Sequence, residues 1–183
     1  ETLISMMTDG NGVPTDPRIT VYAEPAIAGS LQGGYDGAPN GLPEAIASAY
    51  INTASRPGSW FSREDAPFFI MTYSELLFTL AEAALDGDYT GGSTAQEYME
   101  MAIAASFDQY GLTMPNDYLD GKTADKETIM TEKWKALFSQ GVESWTEYRR
   151  TGFPVLMSQS PEAIFENDGE VPTRLRYPET EYS

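Results

Sequence analysis

Two stretches of helical periodicity, each with its own start and stop signals, constrain the fold of this chain most. The first opens with a capping box at Thr72–Glu75, carries apolar residues at helical spacing and meets a natural stop at Gly87. The second opens with a capping box at Thr94–Glu97 and stops at Gly111. Small alanines lie on both apolar stripes, so the helices can approach closely, and an antiparallel helical hairpin is predicted.

A second pair of helices is expected further along the chain. One runs from about Asp125 to Gln140, and the other begins at Ser144, which forms a cap with Glu147, and ends at Gly152. The sequence therefore predicts a mainly α fold of tetratricopeptide-like helical hairpins with long loop-rich excursions, although no repeat of roughly 34 residues is readable in it. The first helix of this pair is expected to bury Ile129, Trp134, Leu137 and Phe138.

The helical part is flanked by sequence that is rich in Gly, Pro, Asn and Asp. Residues 1–66 are predicted to form a loop-rich segment packed on the helical core. Residues 67–154 contain the hairpins, and residues 155–183 form an irregular C-terminal segment. All three parts are expected to belong to one domain, since a chain of 183 residues is long enough for a single core.

Three short pieces of this flanking sequence have a readable local pattern. Arg18–Tyr22 is predicted to be extended, and Glu44–Asn52 is predicted to be one short helix after Pro43. Ala66–Met71 is the longest apolar stretch, and it is predicted to be either a short strand or an extended lead into the first long helix.

The composition excludes several classes of function. A formal net charge of −17 disfavours nucleic acid and anionic lipid as partners, because both require a basic surface. The chain has no cysteine and no histidine, which excludes thiolate nucleophiles, Ser-His-Asp catalysis and most zinc sites. No apolar run approaches the roughly 20 residues of a membrane-spanning helix. No cofactor is expected, and catalysis by a carboxylate pair of the glycosidase type or by lysine stays open.

One segment has the pattern of a calcium-binding loop. Asp86, Asp88, Thr90 and Glu97 supply oxygen ligands at the spacing of an EF-hand, with a glycine at the sixth position. The alternative is a plain hairpin turn in which Glu97 caps the following helix. Because Glu97 does not readily serve both purposes, we favour the turn and expect no metal.

Aromatic residues in the first third of the chain are candidates for ligand contact. The apolar face of a sugar ring stacks on an exposed aromatic ring, while neighbouring polar side chains bind its hydroxyl groups. Each aromatic residue taken alone is twice as likely to pack in the core or anchor a loop. The candidate ligand-binding residues are Tyr35, Asp36, Asn40, Trp60, Phe61 and Arg63.

Four residues near the second helical pair are expected to be structural. Trp134 lies on an apolar stripe, and Trp145 closely follows a helix cap, so both are predicted to be core residues. Arg149 and Arg150 resemble an anion clamp, but arginines at the end of a short helix also stabilise its dipole and bind its free carbonyl groups. We favour this structural role.

Several motifs occur along the chain in a fixed order. They are Asp16-Pro17-Arg18 with Tyr22; Met71 to Glu75 with Phe78 and Ala81 to Ala84; Gly91-Gly92-Ser93 with Ala95 and Tyr98; Lys133-Trp134 with Leu137-Phe138, Gly141 and Trp145 to Pro154; and Pro172 to Pro178 with Glu181-Tyr182. In this order they resemble the SusD/RagB family of outer-membrane nutrient-binding lipoproteins. The resemblance covers most of the chain from Asp16 onward.

The resemblance implies a function. Members of this family bind glycans or peptides at the cell surface, are not enzymes, and deliver their ligand to a TonB-dependent, SusC-like barrel transporter. They are held at the extracellular face of the outer membrane by a lipidated N-terminal cysteine, so this chain is expected to be the C-terminal portion or a fragment of such a protein. Two alternatives stay open: a helical protein–protein interaction module without a small ligand, and a carboxylate-pair glycosidase.

Overall fold

The architecture is built almost wholly from helices. The computed structural model describes residues 1–157, 160–164, 170–175 and 177–182, so Arg176 of the C-terminal motif lies outside the described residues. Within these ranges there is no β-strand beyond two isolated bridges. None of the described helices is both long and apolar enough to cross a lipid bilayer. The helices are α1 (Thr2–Met7), α2 (Ile19–Tyr22), α3 (Glu44–Ala47), α4 (Tyr73–Asp86), α5 (Ala95–Asp108), α6 (Lys126–Ala136) and α7 (Gly141–Thr151), with 3₁₀ turns at Ser48–Tyr50, Ser59–Ser62 and Glu179–Tyr182.

The first predicted hairpin is confirmed and consists of α4 and α5. Thr72 caps α4 by accepting a hydrogen bond from the Glu75 amide at 3.2 Å, and the Glu75 carboxylate accepts one from the Thr72 amide. Gly87 ends this helix in the left-handed conformation, with φ of 81°. The second capping box, between Thr94 and Glu97, is also present, although α5 ends at Asp108, before the predicted glycine.

The main core lies where α4, α5 and α6 meet. Its side chains come from one face of each helix, and the deletion of such a buried side chain typically costs about 2–5 kcal/mol. Alanines at the α4–α5 contact allow the close approach that the sequence predicts. The fully or almost fully buried members of this core are Phe78, Ala81, Met99, Ala102, Ile103, Phe107, Ile129 and Met130.

Helix α6 differs from its prediction in length and in the face that it buries. It ends at Ala136, four residues before the expected end, because Ser139 takes a left-handed backbone conformation with φ of 73°. Trp134 is only half-buried, so its prediction as a core residue is wrong. The buried side chains of this helix instead include three charged ones, namely Glu132, Lys133 and Lys135.

Helix α7 begins earlier than predicted. It starts at Gly141, and the Ser144 hydroxyl donates to the Leu137 and Gln140 carbonyl oxygens, which satisfies the end of α6. Ser144 is therefore not an N-cap. The predicted stop at Gly152 is confirmed, with a left-handed φ of 78°.

The loop-rich segment contains more helix than its sequence suggests. Arg18–Tyr22 was expected to be extended, but Ile19–Tyr22 forms α2, because Asp16 accepts hydrogen bonds at its start and both end residues are buried on one face. Glu44–Asn52 is helical as predicted over its first half, and then tightens into a 3₁₀ turn. Ala66–Met71 is not a strand and leads directly into α4.

Candidate functional site

A buried network of charged side chains joins the loop-rich segment to the helices. Arg18 is fully buried, and its Nη2 lies 2.6 Å from Asp16 Oδ2 and 2.8 Å from Glu132 Oε2. Lys135 Nζ lies 2.6 Å from Glu132 Oε1, and the Tyr118 hydroxyl donates to Asp16 at 2.6 Å. The network therefore holds the loop-rich segment against α6 and against the loop that precedes it.

Both carboxylates of this network are ionised near neutral pH. Burial alone raises the pKa of Glu132, but the positive charges of Lys135 and Arg18 lower it to about 2. Burial also opposes ionisation of Asp16, yet the hydrogen bond and charge of Arg18 hold the pKa of Asp16 well below its ordinary value. A glycosidase needs one carboxyl group that is protonated at its working pH. This pair of acids is therefore unsuited to acid–base catalysis.

Six aromatic rings form a second connection between the loop-rich segment and the helices, and we call them the aromatic cluster. At its buried end, Tyr22 stacks on Phe138 with ring centroids 4.3 Å apart. At its outer end, Trp60 lies parallel to Phe69 at 5.9 Å, and both are half-buried. The cluster comprises Tyr22, Trp60, Phe61, Phe69, Tyr110 and Phe138.

The position of Trp60 is set by a close approach of two backbone segments. The Gly58 amide donates to the Tyr22 carbonyl oxygen at 2.9 Å. A side chain at Gly58 would collide with the Val21 carbonyl oxygen, so glycine is required there. The 3₁₀ turn Ser59–Ser62 follows at once and directs both of its aromatic rings into the cluster.

A groove opens at the outer end of the aromatic cluster, and we call it the aromatic groove. Its volume is about 570 Å³, within the range of small-molecule sites. One wall is the apolar segment Ala66–Ile70, and the other runs from Ser139 into the first turn of α7. Phe61 and Phe69 belong to both the groove and the cluster. The groove therefore presents aromatic surface between two walls that different parts of the chain supply.

A second groove lies on the other side of Phe69, and we call it the helical groove. It has a volume of about 620 Å³ and lies between the start of α4 and the end of α5. Met71, Tyr73 and Met101 line it and are exposed. Together with Phe68 and Ile70, which are 89% and 83% exposed, these residues make a nearly continuous apolar surface.

The structure brings three of the six predicted ligand-binding residues together, although only Phe61 of these three lines the aromatic groove. Trp60 and Phe61 belong to the aromatic cluster, and the Arg63 guanidinium carbon lies 5.0 Å from the centre of the Trp60 ring. Arg63 also forms an exposed ion pair with Asp65 at 3.4 Å.

The other three predicted binders lie apart from the aromatic groove. Tyr35 is only 7% exposed and packs with Met7 and Ile19, which fits loop anchoring. Asp36 is half-buried beside it, and its amide donates to the Ser55 hydroxyl at 3.1 Å. Asn40 is exposed and is not among the residues that line either groove.

Two of the residues that were expected to have structural roles make contacts with neighbouring elements. Trp145 was predicted to be a core residue, but like Trp134 it is only half-buried. Its Nε1 donates to the Pro172 carbonyl oxygen at 2.7 Å, and Arg149 covers its ring at 4.5 Å. Arg150 binds Glu82 of α4 through two nitrogens, with Nη2 at 2.6 Å. The partner of Arg150 is thus a carboxylate rather than the free carbonyl groups expected from its place at a helix end.

The calcium-loop pattern does not assemble into a metal site. Glu97 is engaged by its own helix cap, where it accepts a hydrogen bond from the Thr94 amide at 2.7 Å. Asp86 instead pairs with Lys126 at 2.8 Å. In the part of the chain that the structure describes, no three acidic side chains come together as metal ligands.

Several residues of the aromatic cluster and of the aromatic groove were not found from the sequence. Phe69 had a signal, because it lies in the longest apolar stretch, directly before a helix. Tyr110 and Phe138 lie at helix ends and read as ordinary core residues. Gln140 gave no signal at all, since its place in the groove depends on the backbone turn at Ser139.

Comparison with known proteins identifies the family. A family model described as "SusD-like" and "starch-binding associating with outer membrane" matches residues 1–178. The chain therefore belongs to the SusD-like family. No curated protein matches it.

Solved structures of SusD-like proteins share this fold. A SusD-like protein from Bacteroides thetaiotaomicron has a TM-score of 0.77 and 26% identity over 99% of this chain. A chitin-binding protein has a TM-score of 0.77 and 28% identity over 98%, and a chitin-binding SusD homologue from Flavobacterium johnsoniae has 0.70 and 25% over 88%. The chain spans 44%, 42% and 39% of these three relatives, which is less than half of their length.

Proposed function

We propose that this chain is part of a cell-surface protein that binds a glycan in the aromatic groove and does not convert it. The observation that carries the proposal is the outer end of the aromatic cluster, where the half-buried Phe69 lines a groove of about 570 Å³ and is backed by the parallel ring of Trp60. Rings that reach the surface in this way are suited to stack on the apolar faces of sugars. The starch-binding description of the family and the chitin-binding relatives support a glycan as ligand.

The protonation state of the buried acidic residues favours binding without turnover. The best-buried carboxylates, Asp16 and Glu132, are both held ionised by Arg18. The chain has no histidine and no cysteine to act as a base or nucleophile. Its role is therefore to hold a ligand.

The family's association with the outer membrane supports a proposal about place and partner. We place the longer protein at the extracellular face of the outer membrane, held by a lipid anchor. There it would deliver its ligand to a TonB-dependent, SusC-like transporter. A peptide is the alternative ligand for the same groove.

The exposed apolar surface supports a second candidate, a protein–protein interaction module. Phe68 and Ile70 are almost fully exposed, and large exposed apolar patches are typical of protein interfaces. In this case the aromatic cluster is purely structural and the chain binds no glycan.

Affinity electrophoresis in gels that contain soluble polysaccharides separates the two candidates. We expect the chain to be retained by at least one neutral or acidic polysaccharide of a broad panel. Phe69→Ala and Trp60→Ala should each weaken retention by about threefold to tenfold, the value of one aromatic stacking contact. Tyr177→Ala, which removes an exposed ring outside the cluster, is the matched control and should leave retention unchanged. Circular dichroism confirms that each variant is folded, and a chain that no polysaccharide retains would refute glycan binding.

A further inference from the structure

Gln140 is a buried polar residue in the wall of the aromatic groove. It lies in the connection between α6 and α7, directly after Ser139, and is 8% exposed. Its backbone is fully engaged, since its amide donates to the Leu137 carbonyl oxygen and its own carbonyl oxygen accepts from Ser144. The peptide group is thus fixed, while the side chain is held only by packing.

The side-chain amide of Gln140 makes no hydrogen bond within the described part of the chain. Both Nε2 and Oε1 are shielded from solvent and have no protein partner. Buried polar groups are nearly always paired, because an unpaired one loses its hydration without compensation. A rotation of the side chain towards the groove therefore breaks no protein hydrogen bond and exposes one donor and one acceptor.

The charge of the surrounding surface restricts what this amide can meet. Among the described residues, Glu143 is the only charged one that lines the aromatic groove, and Asp108 is the only charged one that lines the helical groove. No described lysine or arginine lines either groove, and the nearby Arg63 is paired with Asp65. The backbone amide groups in the first turn of α7 would attract an anion, but Glu143 already places a carboxylate in that turn. Among the described residues that line the aromatic groove, an anionic ligand would therefore meet a negative side chain and no positive one.

We propose that Gln140 determines the specificity of the aromatic groove by hydrogen-bonding the hydroxyl groups of an uncharged sugar unit stacked beside Phe69. The inference rests on the proposed glycan binding and adds the class of glycan and the residue that selects it. An amide both donates and accepts, so it matches two neighbouring hydroxyl groups of a sugar. Glu143, three residues further on, disfavours uronic acids and sulfated sugars at the same place.

Paired stability and binding measurements on Gln140→Met test the role of the amide. Methionine has a similar length and carries no strong hydrogen-bonding group, so the thermal midpoint should stay the same or rise, because an unpaired buried amide is removed. Affinity for a neutral polysaccharide that retains the wild-type chain should fall about tenfold. A residue with a purely structural role would show the opposite, with a lower midpoint and unchanged affinity, and that result would overturn the inference.

Gln96→Met is the matched control. Gln96 lies at the start of α5. Its side-chain amide donates to the Glu100 carboxylate and to the Lys122 carbonyl oxygen, and it accepts a hydrogen bond from the Ala124 backbone amide. The same substitution there removes satisfied hydrogen bonds. It should therefore lower the thermal midpoint and leave glycan affinity unchanged, the reverse of the effect at Gln140.

The carboxymethylated derivative of the same polysaccharide tests the class of glycan. Wild-type chain should bind it at least about tenfold more weakly than the neutral polymer, and Glu143→Gln should recover part of that loss. Equal or tighter binding of the charged polymer would overturn the preference for uncharged sugars while leaving glycan binding intact. Failure to bind any polysaccharide, charged or neutral, would instead refute the proposed function together with this inference.

Discussion

Arg18 joins the loop-rich segment to two of the long helices through several contacts of one side chain. Its guanidinium group binds Asp16 and Glu132, donates to the Ser106 hydroxyl at 2.7 Å, and lies over the Phe107 ring at 4.8 Å. A planar group with five donors suits such a site better than lysine, because several acceptors can be satisfied at once. One side chain thereby joins α2, α5 and α6.

Replacement of Arg18 by methionine should be strongly destabilising. The change leaves two buried carboxylates with Lys135 as their main remaining cation, and the loss of one partner of a buried ion pair costs about 3–5 kcal/mol. Urea unfolding followed by circular dichroism gives the free energy of unfolding. Arg63→Met is the control, since this arginine is exposed, and it should change stability by no more than about 0.5 kcal/mol. Equal midpoints for the two variants would contradict the role of the network.

Individual residues of the charged network, the aromatic cluster and the aromatic groove differ in how far their roles could be predicted from the sequence. Trp60 and Phe61 could be proposed as ligand contacts, because the sequence shows aromatic rings between turn residues. Glu132 and Lys135 gave no signal in the sequence, since their partners, Arg18 and Asp16 respectively, are more than a hundred residues away along the chain. Gln140 was missed for a similar reason: burial and the absence of a partner are properties of the packed structure.

At the scale of helices, the ends that depend on local sequence were predicted well. Both capping boxes and the glycine stops of α4 and α7 are present, because a cap needs only residues within one turn of each other. The junction of α6 and α7 was placed wrongly, since the left-handed Ser139 carries no glycine signal. Ile19–Tyr22 was read as extended from its β-branched residues, and burial of one helical face overrides that preference.

Removal of the α4 cap should have a measurable and local effect. Thr72→Ala leaves the Glu75 amide without its side-chain acceptor, which typically costs about 1 kcal/mol. We expect the midpoint of urea unfolding to fall accordingly. Thr113→Ala removes the same atoms from an exposed loop and should have almost no effect. An equal loss in both variants would mean that the capping hydrogen bond contributes nothing specific.

For the whole molecule, the cations act as connectors within a strongly acidic chain. Lys126 of α6 binds Glu82 and Asp86 of α4. Lys133, also of α6, binds Glu147 of α7. Arg150 of α7 binds Glu82 of α4. Ion pairs thus join α4, α6 and α7 to one another, while α5 is held by the apolar core. A net charge of −17 opposes compaction through self-repulsion, so these partly buried pairs gain in importance.

The pH dependence of stability follows from the same ion pairs. Burial raises the pKa of Glu82, but hydrogen bonds from Arg150 and Lys126 lower it from 4.5 to about 2, and the pKa of Glu132 falls from 4.5 to about 2 as well. A carboxyl group whose pKa is lower in the folded than in the unfolded state stabilises the fold above its unfolded pKa. That contribution, of order 3 kcal/mol for Glu132 and smaller for Glu82, whose cationic partners are partly exposed to solvent, is lost as the pH falls from about 4.5 to about 2.

Thermal unfolding from pH 7 to pH 2.5, followed by circular dichroism, should therefore show a steep fall of the melting temperature below about pH 4.5. Glu82→Gln removes one of the two titrating contributions. Its melting temperature should start lower at pH 7, because Arg150 and Lys126 lose their shared carboxylate, and should then fall less steeply in acid. Parallel curves for wild-type chain and variant would show that Glu82 does not carry the acid sensitivity, and that the ion pairs between α4 and α7 do not determine how the fold responds to pH.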